Sequence, residues 1–401
     1  MTNISTSSRL HLVGSVVPPD CVGGNSAISQ AGNLCQQGVI SGLSNNPLEL
    51  GQVVSYFPNM VFPKGRTIYF KGLRSQLNGG VEYVAVPYVN LPLARALTVN
   101  LAILFHLWRT VKPGDAILFY NVTLPSGLLG MILRWLKGTS FFAMIYDIHV
   151  PGQTVPDSFR WKFEFLKHKW LLPRANGIIA ISPGILEDFA CDKNGIVMEG
   201  GVTTIPEIPS AGAAVAAGST FTMGFAGRLN EYNGLQLVLE AMKLIDDPAL
   251  RLVVAGDGPL RSSVEEASRN DSRITYRGLL RHSDVLAMYG EVQLLLCIRV
   301  TKNIHTGYFF PSKLIECLAT GIPVLTTSVR SQNIDLDRYA RVVTEESAAG
   351  VAQGILRSMS CASDDMAVDA KRFIANNMTW RKQGEKLVSF ILGCRSSTST
   401  D

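Results

Sequence analysis

The chain has 401 residues, of which 47% are hydrophobic and 17% charged, and its formal net charge is +5. This length and apolar content predict a globular protein with two domains, and the even spread of glycine and proline excludes a collagenous or disordered chain. Residues 1–200 hold the whole positive excess, with 16 Lys and Arg against 11 Asp and Glu.

A basic first half favours an anionic membrane surface or a phosphorylated acceptor as a partner, with ordinary solvated charge as the alternative. Nucleic acid is not expected, because the sequence has no dense basic stripe and no recognition motif. The apolar runs 96–108 and 116–133 are broken by polar residues, glycine or proline, so no membrane span is predicted.

The seven cysteines are odd in number and widely scattered. They lack the spacing of metal ligands or of a disulfide framework, which predicts a cytoplasmic protein without a metal cofactor. The N-terminus also lacks the pattern of a signal peptide.

The chain opens as an α/β domain. A strand at 11–17 is followed by a loop with Gly23 and Gly24 and by a helix from Ser26 to about Gln37. Strand, glycine loop and helix are typical of dinucleotide-type domains, in which glycine lets the backbone approach a ligand, although a simple turn is the alternative.

Strands and helices then alternate, which predicts a parallel sheet covered on both faces. Strands are predicted at 52–57, 67–70, 83–86, 116–120, 141–146 and 177–181, and helices at 93–110 and 127–136. Asp147 and His149 follow the strand at 141–146. Polar residues at such strand ends border the ligand crevice of open α/β sheets, although a capping Asp147 and a surface His149 are the alternative.

The segment 159–172 is strongly amphipathic. Phe159, Phe163, Leu166 and Trp170 share one helical face, with Arg160, Lys162, Lys167 and Lys169 around it. Core packing with a solvated basic face is one interpretation. Peripheral contact with a membrane, at the inner face of the cell membrane, is the other.

The predicted domains are 1–202 and 220–378, with a flexible linker at 203–219 and a closing helix and tail at 379–401. After the strand at 221–226, Gly227 brings Arg228 to a strand end, where a permanent cation suits a diphosphate. Asn233 lies five residues after Arg228. Gly256 and Gly258 form a second turn, Leu279 follows a third, and a basic polar loop at 299–306 is well placed for phosphate or sugar.

The stretch 307–327 reads as loop, helix and strand. Pro311 and Ser312 signal a helix start with Ser as a favoured cap, and such a start attracts anions. Lys313 and Glu316 are three residues apart and share one face of this helix. Gly321 and the following Pro323 predict its end.

Residues 310–324 resemble the donor-site segment of retaining family-4 glycosyltransferases, in the subgroup with a Pro-x-Lys-x-x-Glu pattern. The resemblance implies the α/β GT-B fold, with two Rossmann-like domains and a cleft between them. It covers roughly residues 10–392. The N-terminal domain would take the acceptor and the C-terminal domain a nucleotide-diphosphate sugar, without a metal.

The resemblance also implies roles for individual residues. Glu316 would bind the nucleotide ribose, and His149 would lie near the donor sugar. Tyr308 stands where many members carry a glutamate that approaches the sugar, and Asn233 stands where they carry a lysine that grips the diphosphate. Lys313 or Lys302 would then replace that cation. The remaining implied donor contacts are Gly23, Gly24, Gly227, Arg228, Gly256, Gly258, Leu279, Pro311 and Ser312.

The resemblance therefore implies transfer of a hexose to a saccharide or polyprenyl-linked acceptor in bacterial polysaccharide or exopolysaccharide biosynthesis. One alternative is a GT-B nucleotide-sugar epimerase, which needs no acceptor. A degenerate, non-catalytic subunit that binds nucleotide sugar is another, because Tyr308 and Asn233 depart from the pattern at functional positions.

Overall fold

A computed structural model describes residues 8–21, 27–44, 48–77, 80–190, 194–208, 220–302, 306–361 and 365–397. The chain divides into two compact units. The first comprises residues 1–201, 307–309 and 380–401, and the second comprises residues 202–306 and 310–379. Gly23 and Gly24, and residues 209–219 of the predicted linker, lie outside the described residues.

The first unit begins with alternating strands and helices. In chain order they are β1 (Arg9–Gly14), α1 (Gln30–Leu43), β2 (Glu49–Ser55), β3 (Tyr69–Phe70), β4 (Leu73–Leu77), β5 (Val81–Ala85), β6 (Tyr88–Val89), α2 (Ala94–Thr110), β7 (Ala116–Tyr120), α3 (Leu124–Lys137), β8 (Ser140–Ile145), α4 (Phe159–Leu171), β9 (Gly177–Ala180), α5 (Pro183–Phe189) and β10 (Gly195–Val197).

Eight of these strands form one sheet in the order β10-β9-β8-β7-β1-β2-β5-β4. All neighbours pair in parallel except β4 and β5, which are antiparallel. The central strands are buried on both faces, as the predicted helical cover requires. The antiparallel edge strand β4 was not predicted, because its sequence Leu-Arg-Ser-Gln-Leu carries little of the apolar pattern that marks a buried strand.

The second unit contains β11 (Phe221–Ala226), α6 (Leu235–Leu244), β12 (Leu250–Ala255), α7 (Arg261–Asn270), β13 (Ile274–Tyr276), α8 (His282–Tyr289), β14 (Leu294–Cys297), α9 (Ser312–Leu318), β15 (Val324–Thr327), α10 (Leu336–Tyr339), β16 (Arg341–Val343), α11 (Ala348–Met359) and α12 (Asp365–Asn377). Its six strands are all parallel, in the order β13-β12-β11-β14-β15-β16. The order reverses between β11 and β14, which is where ligands bind in doubly wound sheets.

The last helix, α13 (Trp380–Ser397), returns to the first unit and packs on α1. Glycines allow the two backbones to approach closely. A Cβ on Gly42 would lie 2.0 Å from the Trp380 carbonyl oxygen, and one on Gly384 would lie 1.9 Å from the Gly42 oxygen. A larger side chain at either position would force the helices apart.

Helix α4 is oriented differently from its core-packing interpretation. Phe159, Phe163, Leu166 and Trp170 are all exposed, whereas Lys167 and His168 are buried. The apolar face points to solvent because α4 packs through its other side, where Leu171 contacts α3 and Phe165 contacts Phe189 of α5. The interpretation that the apolar side of α4 packs in the core is therefore wrong.

Candidate functional site

The carboxyl ends of β11 and β14 each deliver an arginine. Gly227 and Arg228 follow β11, and Arg299 follows β14 after one residue. These two strands are neighbours at the point where the strand order of the second sheet reverses. Both guanidinium groups thus belong to the sheet edge at which an open α/β fold receives its ligand.

Asn233 connects the two arginines. Its Nδ2 donates to the Arg228 carbonyl oxygen at 2.6 Å, and its Oδ1 accepts a hydrogen bond from the Arg299 guanidinium. The Asn233 backbone N–H donates to Asn230 Oδ1 at 3.0 Å, which closes a short 3-10 helix over 231–233. Asn233 therefore fixes the turn that carries Arg228 and orients Arg299.

Arg299 is held in place by its backbone. Its N–H donates to Thr327 Oγ1 at 2.9 Å, and the next N–H, of Val300, donates to the Tyr232 carbonyl at 3.1 Å. Burial lowers the pKa of Arg299, although a guanidinium stays charged at any physiological pH. A half-buried, anchored cation whose charge is poorly solvated favours an anionic ligand.

Arg228 is more open. Its side chain is exposed and forms no ion pair within the described part of the chain. A guanidinium in this state can turn toward a bound diphosphate without first breaking an internal contact.

Three turns are stacked at this sheet edge. Gly256 has φ +139°, and a Cβ there would lie 1.8 Å from the Gly227 carbonyl oxygen. Gly258 has φ +157°, and its Cβ would lie 2.4 Å from the Leu229 oxygen. The Gly256 N–H donates to the Gly278 carbonyl at 2.8 Å. Only glycine permits this approach, so the turns after β11, β12 and β13 form one surface.

Leu279 follows the third of these turns. Gly278 adopts φ +69°, and Leu279 is exposed, with a relative accessibility of 77%. An open apolar side chain beside a backbone turn suits contact with a planar base, and the family resemblance implies a donor contact at this position.

Helix α9 brings Lys313 and Glu316 together. Lys313 Nζ donates to Glu316 Oε2 at 2.8 Å and lies 5.6 Å from the centre of the Tyr289 ring. Burial opposes the charge of Lys313, but Tyr289 and Glu316 outweigh it, so the pKa of Lys313 is raised. Lys313, one of the cations predicted to replace the lysine missing at position 233, is thus paired with Glu316. Lys302, the other cation predicted to serve there, is exposed, and its N–H donates to Glu346 at 3.2 Å.

These charges share one neighbourhood. The pKa of the buried Cys297 thiol, at the end of β14, is lowered first by its hydrogen bond with Cys317, against the effect of burial. The positive charges of Arg299 and Lys313 lower it further, and Glu316 raises it. Arg299, Lys313 and Glu316 are therefore close enough to act on the same group.

The start of α9 differs from its prediction. Pro311 occupies the cap position and Ser312 is the first helical residue, and no side chain caps the helix. Proline suits this position because it has no N–H to satisfy. The predicted stop is present, since Gly321 adopts φ +78° before Pro323 and β15. Thr320 helps by donating its hydroxyl to the Cys317 carbonyl at 2.6 Å.

Tyr308 groups with the first unit rather than with the donor segment that follows it. Its hydroxyl donates to Asp188 Oδ2 at 2.5 Å, and its ring packs against Phe165 and Phe189. Burial and Asp188 together raise the pKa of the Tyr308 phenol. Tyr308 therefore has a structural contact within the first unit, beyond its predicted place in the donor site.

His149 also belongs to the first unit. Its side chain is exposed, and its ring lies edge-on to Trp161 at 5.1 Å. The neighbouring Asp147 accepts a hydrogen bond from Asn121 Nδ2 at 2.9 Å, while Asn121 Oδ1 accepts the N–H groups of Tyr146 and Asp147. Asn121 thereby fixes the strand end from which His149 emerges.

A cavity of about 460 Å³ lies elsewhere in the first unit, against α2, β4 and β5. Lys71, Arg74, His106 and Arg109 contribute to its lining. Burial lowers the pKa of His106, with a further effect of Arg74, so its imidazole is neutral at physiological pH. No residue that the sequence nominated for a site lines this cavity.

No three His, Cys, Asp or Glu side chains in the described ranges are grouped as a metal site requires. Among the helices described, none combines the length and the apolar content needed to cross a bilayer.

Comparison with known proteins supports the fold. Residues 220–360, which lie in the second unit, match the family model described as "Glycosyl transferases group 1". The chain is 28% identical over 153 residues to the Escherichia coli (strain K12) protein WcaL, which carries a provisional description as a colanic acid biosynthesis glycosyltransferase. That match covers 36% of this chain and 37% of the relative, so the chain spans little more than a third of the relative's length.

Solved structures match over nearly the whole chain. Sucrose-phosphate synthase from Thermosynechococcus elongatus has a TM-score of 0.69 at 15% identity, covering 97% of this chain and 100% of that one. Anabaena Alr3699/HepE, solved with UDP, has a TM-score of 0.67 at 14% identity, covering 96% and 100%. The lipopolysaccharide outer core galactosyltransferase WaaB, in its apo form, gives 0.61 at 14%, covering 96% and 99%. These neighbours show that the chain has the GT-B fold, as the sequence predicted.

Proposed function

We propose that the protein is a GT-B glycosyltransferase that moves a hexose from a nucleotide-diphosphate sugar to a saccharide or lipid-linked saccharide. The observation that carries this proposal is the pair of arginines, Arg228 and Arg299, bridged by Asn233 at the switch point of the second sheet. A diphosphate needs permanent positive charge as it leaves, and two guanidinium groups supply it there.

Arg299 takes the role that a lysine at position 233 has in the resembling family. Asparagine is neutral and cannot supply that charge, but its amide oxygen accepts a hydrogen bond from the Arg299 guanidinium. The site thus keeps two positive groups despite the departure at Asn233. This supports an active donor site over a degenerate one.

Glu316 would accept hydrogen bonds from the ribose hydroxyls, with Lys313 holding its carboxylate in position. This assignment follows the Pro-x-Lys-x-x-Glu subgroup. The stacked turns at Gly227, Gly256 and Gly278 would form the backbone surface against which the nucleotide lies, with Leu279 beside the base.

The acceptor would bind to the first unit, with His149 presented by the end of β8. We assign retention of the anomeric configuration. The acceptor hydroxyl oxygen forms the new bond to the anomeric carbon on the face from which the diphosphate departs, and the departing phosphate oxygen takes the hydroxyl proton. Arg228 and Arg299 stabilise the negative charge that grows on that phosphate, and the proposal invokes no metal.

The names of several similar proteins support a role in polysaccharide or glycoconjugate synthesis. WcaL is described for colanic acid, WaaB for the lipopolysaccharide outer core, and Anabaena HepE has been solved with UDP and glucose. We accordingly place the protein in a bacterial polysaccharide or exopolysaccharide pathway, acting in the cytoplasm at the inner face of the cell membrane.

Labelled UDP-, GDP- and dTDP-hexoses, incubated with lipid-linked and soluble saccharide acceptors, test this function. We expect release of the nucleotide diphosphate and a labelled acceptor, both lost in Arg228→Ala and Glu316→Ala. A labelled sugar that changes configuration without any acceptor would instead indicate an epimerase. Binding of nucleotide sugar without either reaction would indicate the non-catalytic subunit, to which the loss of a carboxylate at Tyr308 points.

A further inference from the structure

Three consecutive helices of the first unit each expose a stripe of large apolar side chains. On α2 and at its cap the stripe is Leu93, Leu97, Leu101, Phe105 and Trp108. Their spacing of four, four, four and three residues places them on one helical face. Leu93 is 94% exposed and adopts φ +66°, a conformation that costs a bulky residue energy, and none of that cost is recovered by burying its side chain.

Helices α3 and α4 repeat the pattern. The stripe on α3 is Leu128, Ile132, Trp135 and Leu136, and that on α4 is Phe159, Phe163, Leu166 and Trp170. Trp135 is 83% exposed and Phe159 is 86% exposed. Scattered apolar residues are normal on a protein surface, but three aligned stripes are not.

The three helices are neighbours, so the stripes form one surface. Lys137 of α3 lies 5.0 Å from the centre of the Trp108 ring of α2. On the other side, α3 packs on α4 so tightly that a Cβ on Gly127 would lie 2.4 Å from Leu171 Cδ1. We call this surface, formed by the exposed stripes of α2, α3 and α4, the apolar face.

Cations surround the apolar face. The Arg109 guanidinium lies 3.8 Å from the centre of the Phe105 ring, and Arg174 lies 4.1 Å from that of Trp170. Arg134, Arg160, Lys162 and Lys169 are exposed on the same helices. Aromatic rings with cations at their edge suit the boundary between lipid headgroups and acyl chains.

Negative charge is almost absent there. Helices α2 and α3 contain no Asp or Glu, and Asp115 between them is buried, where it accepts the N–H groups of Arg9 and Lys112. On α4 the single acid, Glu164, is paired with Lys167, and the exposed Asp157 just before the helix is paired with Lys162 at 3.0 Å. The apolar face is therefore complementary to an anionic surface.

We propose that the apolar face docks on an anionic lipid bilayer, with the three helices lying in the plane of the headgroups. Its stripes would bury in the acyl boundary while Arg109, Lys137 and Arg174 meet lipid phosphates. A bilayer can cover the whole width of a surface made of three helices, whereas one short peptide segment could not. It would also bring lipid-linked acceptors to the first unit. The docking itself requires no donor and does not rest on the proposed transfer reaction.

Flotation with vesicles tests the proposal. Full-length protein is mixed with vesicles of phosphatidylcholine containing roughly a quarter phosphatidylglycerol, or of phosphatidylcholine alone. We expect flotation with the anionic vesicles and weaker flotation with the neutral ones. The variant L97A/W135A/F163A, with one change per helix, should bind the anionic vesicles at least about tenfold more weakly.

The matched control is L244A/L356A/V368A, which removes three exposed apolar side chains from the second unit. It should float as the wild type does. Equal loss in both variants, or no loss in either, would overturn the proposal. A lipid-free dimer that the L97A/W135A/F163A variant dissociates would also overturn it, since the apolar face would then bind a second copy.

A second readout keeps the test independent of expression or folding of the variants. In the wild type, brominated phosphatidylglycerol vesicles should quench the emission of Trp108, Trp135 and Trp170. Unchanged emission with bound vesicles would contradict insertion of the apolar face. Stabilisation by UDP or GDP, measured without lipid, reports the donor site separately, so failure of docking and failure of the proposed activity are distinguishable.

Discussion

At the scale of single residues, the proposed donor site depends on Asn233. It accepts from Arg299 and donates to the Arg228 carbonyl, so one neutral side chain organises two cations. A lysine at this position would place its own charge at the phosphate but could not accept a hydrogen bond from Arg299. In the proposed site, the charge of a lysine at position 233 is therefore replaced by the charge of Arg299, which Asn233 orients.

Replacing Arg299 tests this arrangement. Arg299→Ala should weaken binding of UDP or GDP by about tenfold to a hundredfold, because a hydrogen bond between charged groups contributes roughly 1.5–3 kcal/mol. Arg299→Lys should retain part of the affinity, since the charge remains but the bidentate fork is lost. Titration calorimetry measures both.

Arg372→Ala is the matched control, because Arg372 is an exposed α12 residue paired with Asp369. Its nucleotide affinity should equal that of the wild type. Full affinity in Arg299→Ala would show that Arg299 does not contribute to nucleotide binding.

Gly256 carries the close approach of two turns. Gly256→Ala should destabilise the second unit by about 2–4 kcal/mol, because the methyl group meets the Gly227 carbonyl and the residue has φ +139°. Gly278→Ala, with φ +69° and open space around the Cβ, should cost only about 1 kcal/mol. Urea unfolding of both variants gives the comparison, and equal losses would argue against the steric account.

At the scale of elements, helix α4 shows that an amphipathic pattern does not fix how a helix is oriented. Its amphipathic spacing was evident in the sequence, but periodicity does not say which face meets the core. Packing on α3 and α5 buries Lys167 and His168 and leaves the phenylalanine stripe in solvent. The long-range contacts that decide this lie outside the segment.

His168 makes α4 sensitive to acid. Burial, together with Lys167, lowers its pKa from 6.5 to about 4. A depressed pKa contributes stability that is complete above pH 6.5 and is lost as the pH falls toward 4, because the unfolded chain binds the proton first. We expect protonation of His168 to account for up to about 3 kcal/mol of this loss in the free energy of unfolding.

Denaturant unfolding across this pH range, in wild type and His168→Gln, checks the expectation. The variant should lose less stability on acidification than the wild type. His282→Gln, at an exposed position, should behave as the wild type does. Identical acid profiles for wild type and His168→Gln would refute the assignment.

The donor elements were easier to predict than their partners. Strands β11, β12, β14 and β15 follow from short apolar runs, and the turns at Gly256 and Gly321 follow from local chemistry. The contact of Tyr308 with Asp188 could not be predicted, because 120 residues separate them. The pairing of Arg299 with Asn233 was hidden for the same reason, although Arg299 stood in a loop predicted to meet phosphate.

At the scale of the whole molecule, the two units differ in the functional features that they carry. The second unit carries Arg228 and Arg299 at its strand switch point and the residues that match the glycosyl transferases group 1 model. The first unit carries the basic, apolar helices α2, α3 and α4 and the open His149. This separation agrees with the charge bias of residues 1–200, which the sequence alone reveals.

Thermal unfolding in the presence of UDP-, GDP-, dTDP- and CMP-sugars and their free nucleotides tests the central claim most directly. A ligand that binds only the folded chain adds about 2.7 kcal/mol at a hundredfold excess over its dissociation constant. We predict a raised melting temperature with one nucleotide family, reduced in Arg299→Ala and abolished in Arg228→Ala. No shift with any nucleotide would contradict a donor site built on these two arginines. A shift in both variants equal to that of the wild type would contradict it as well.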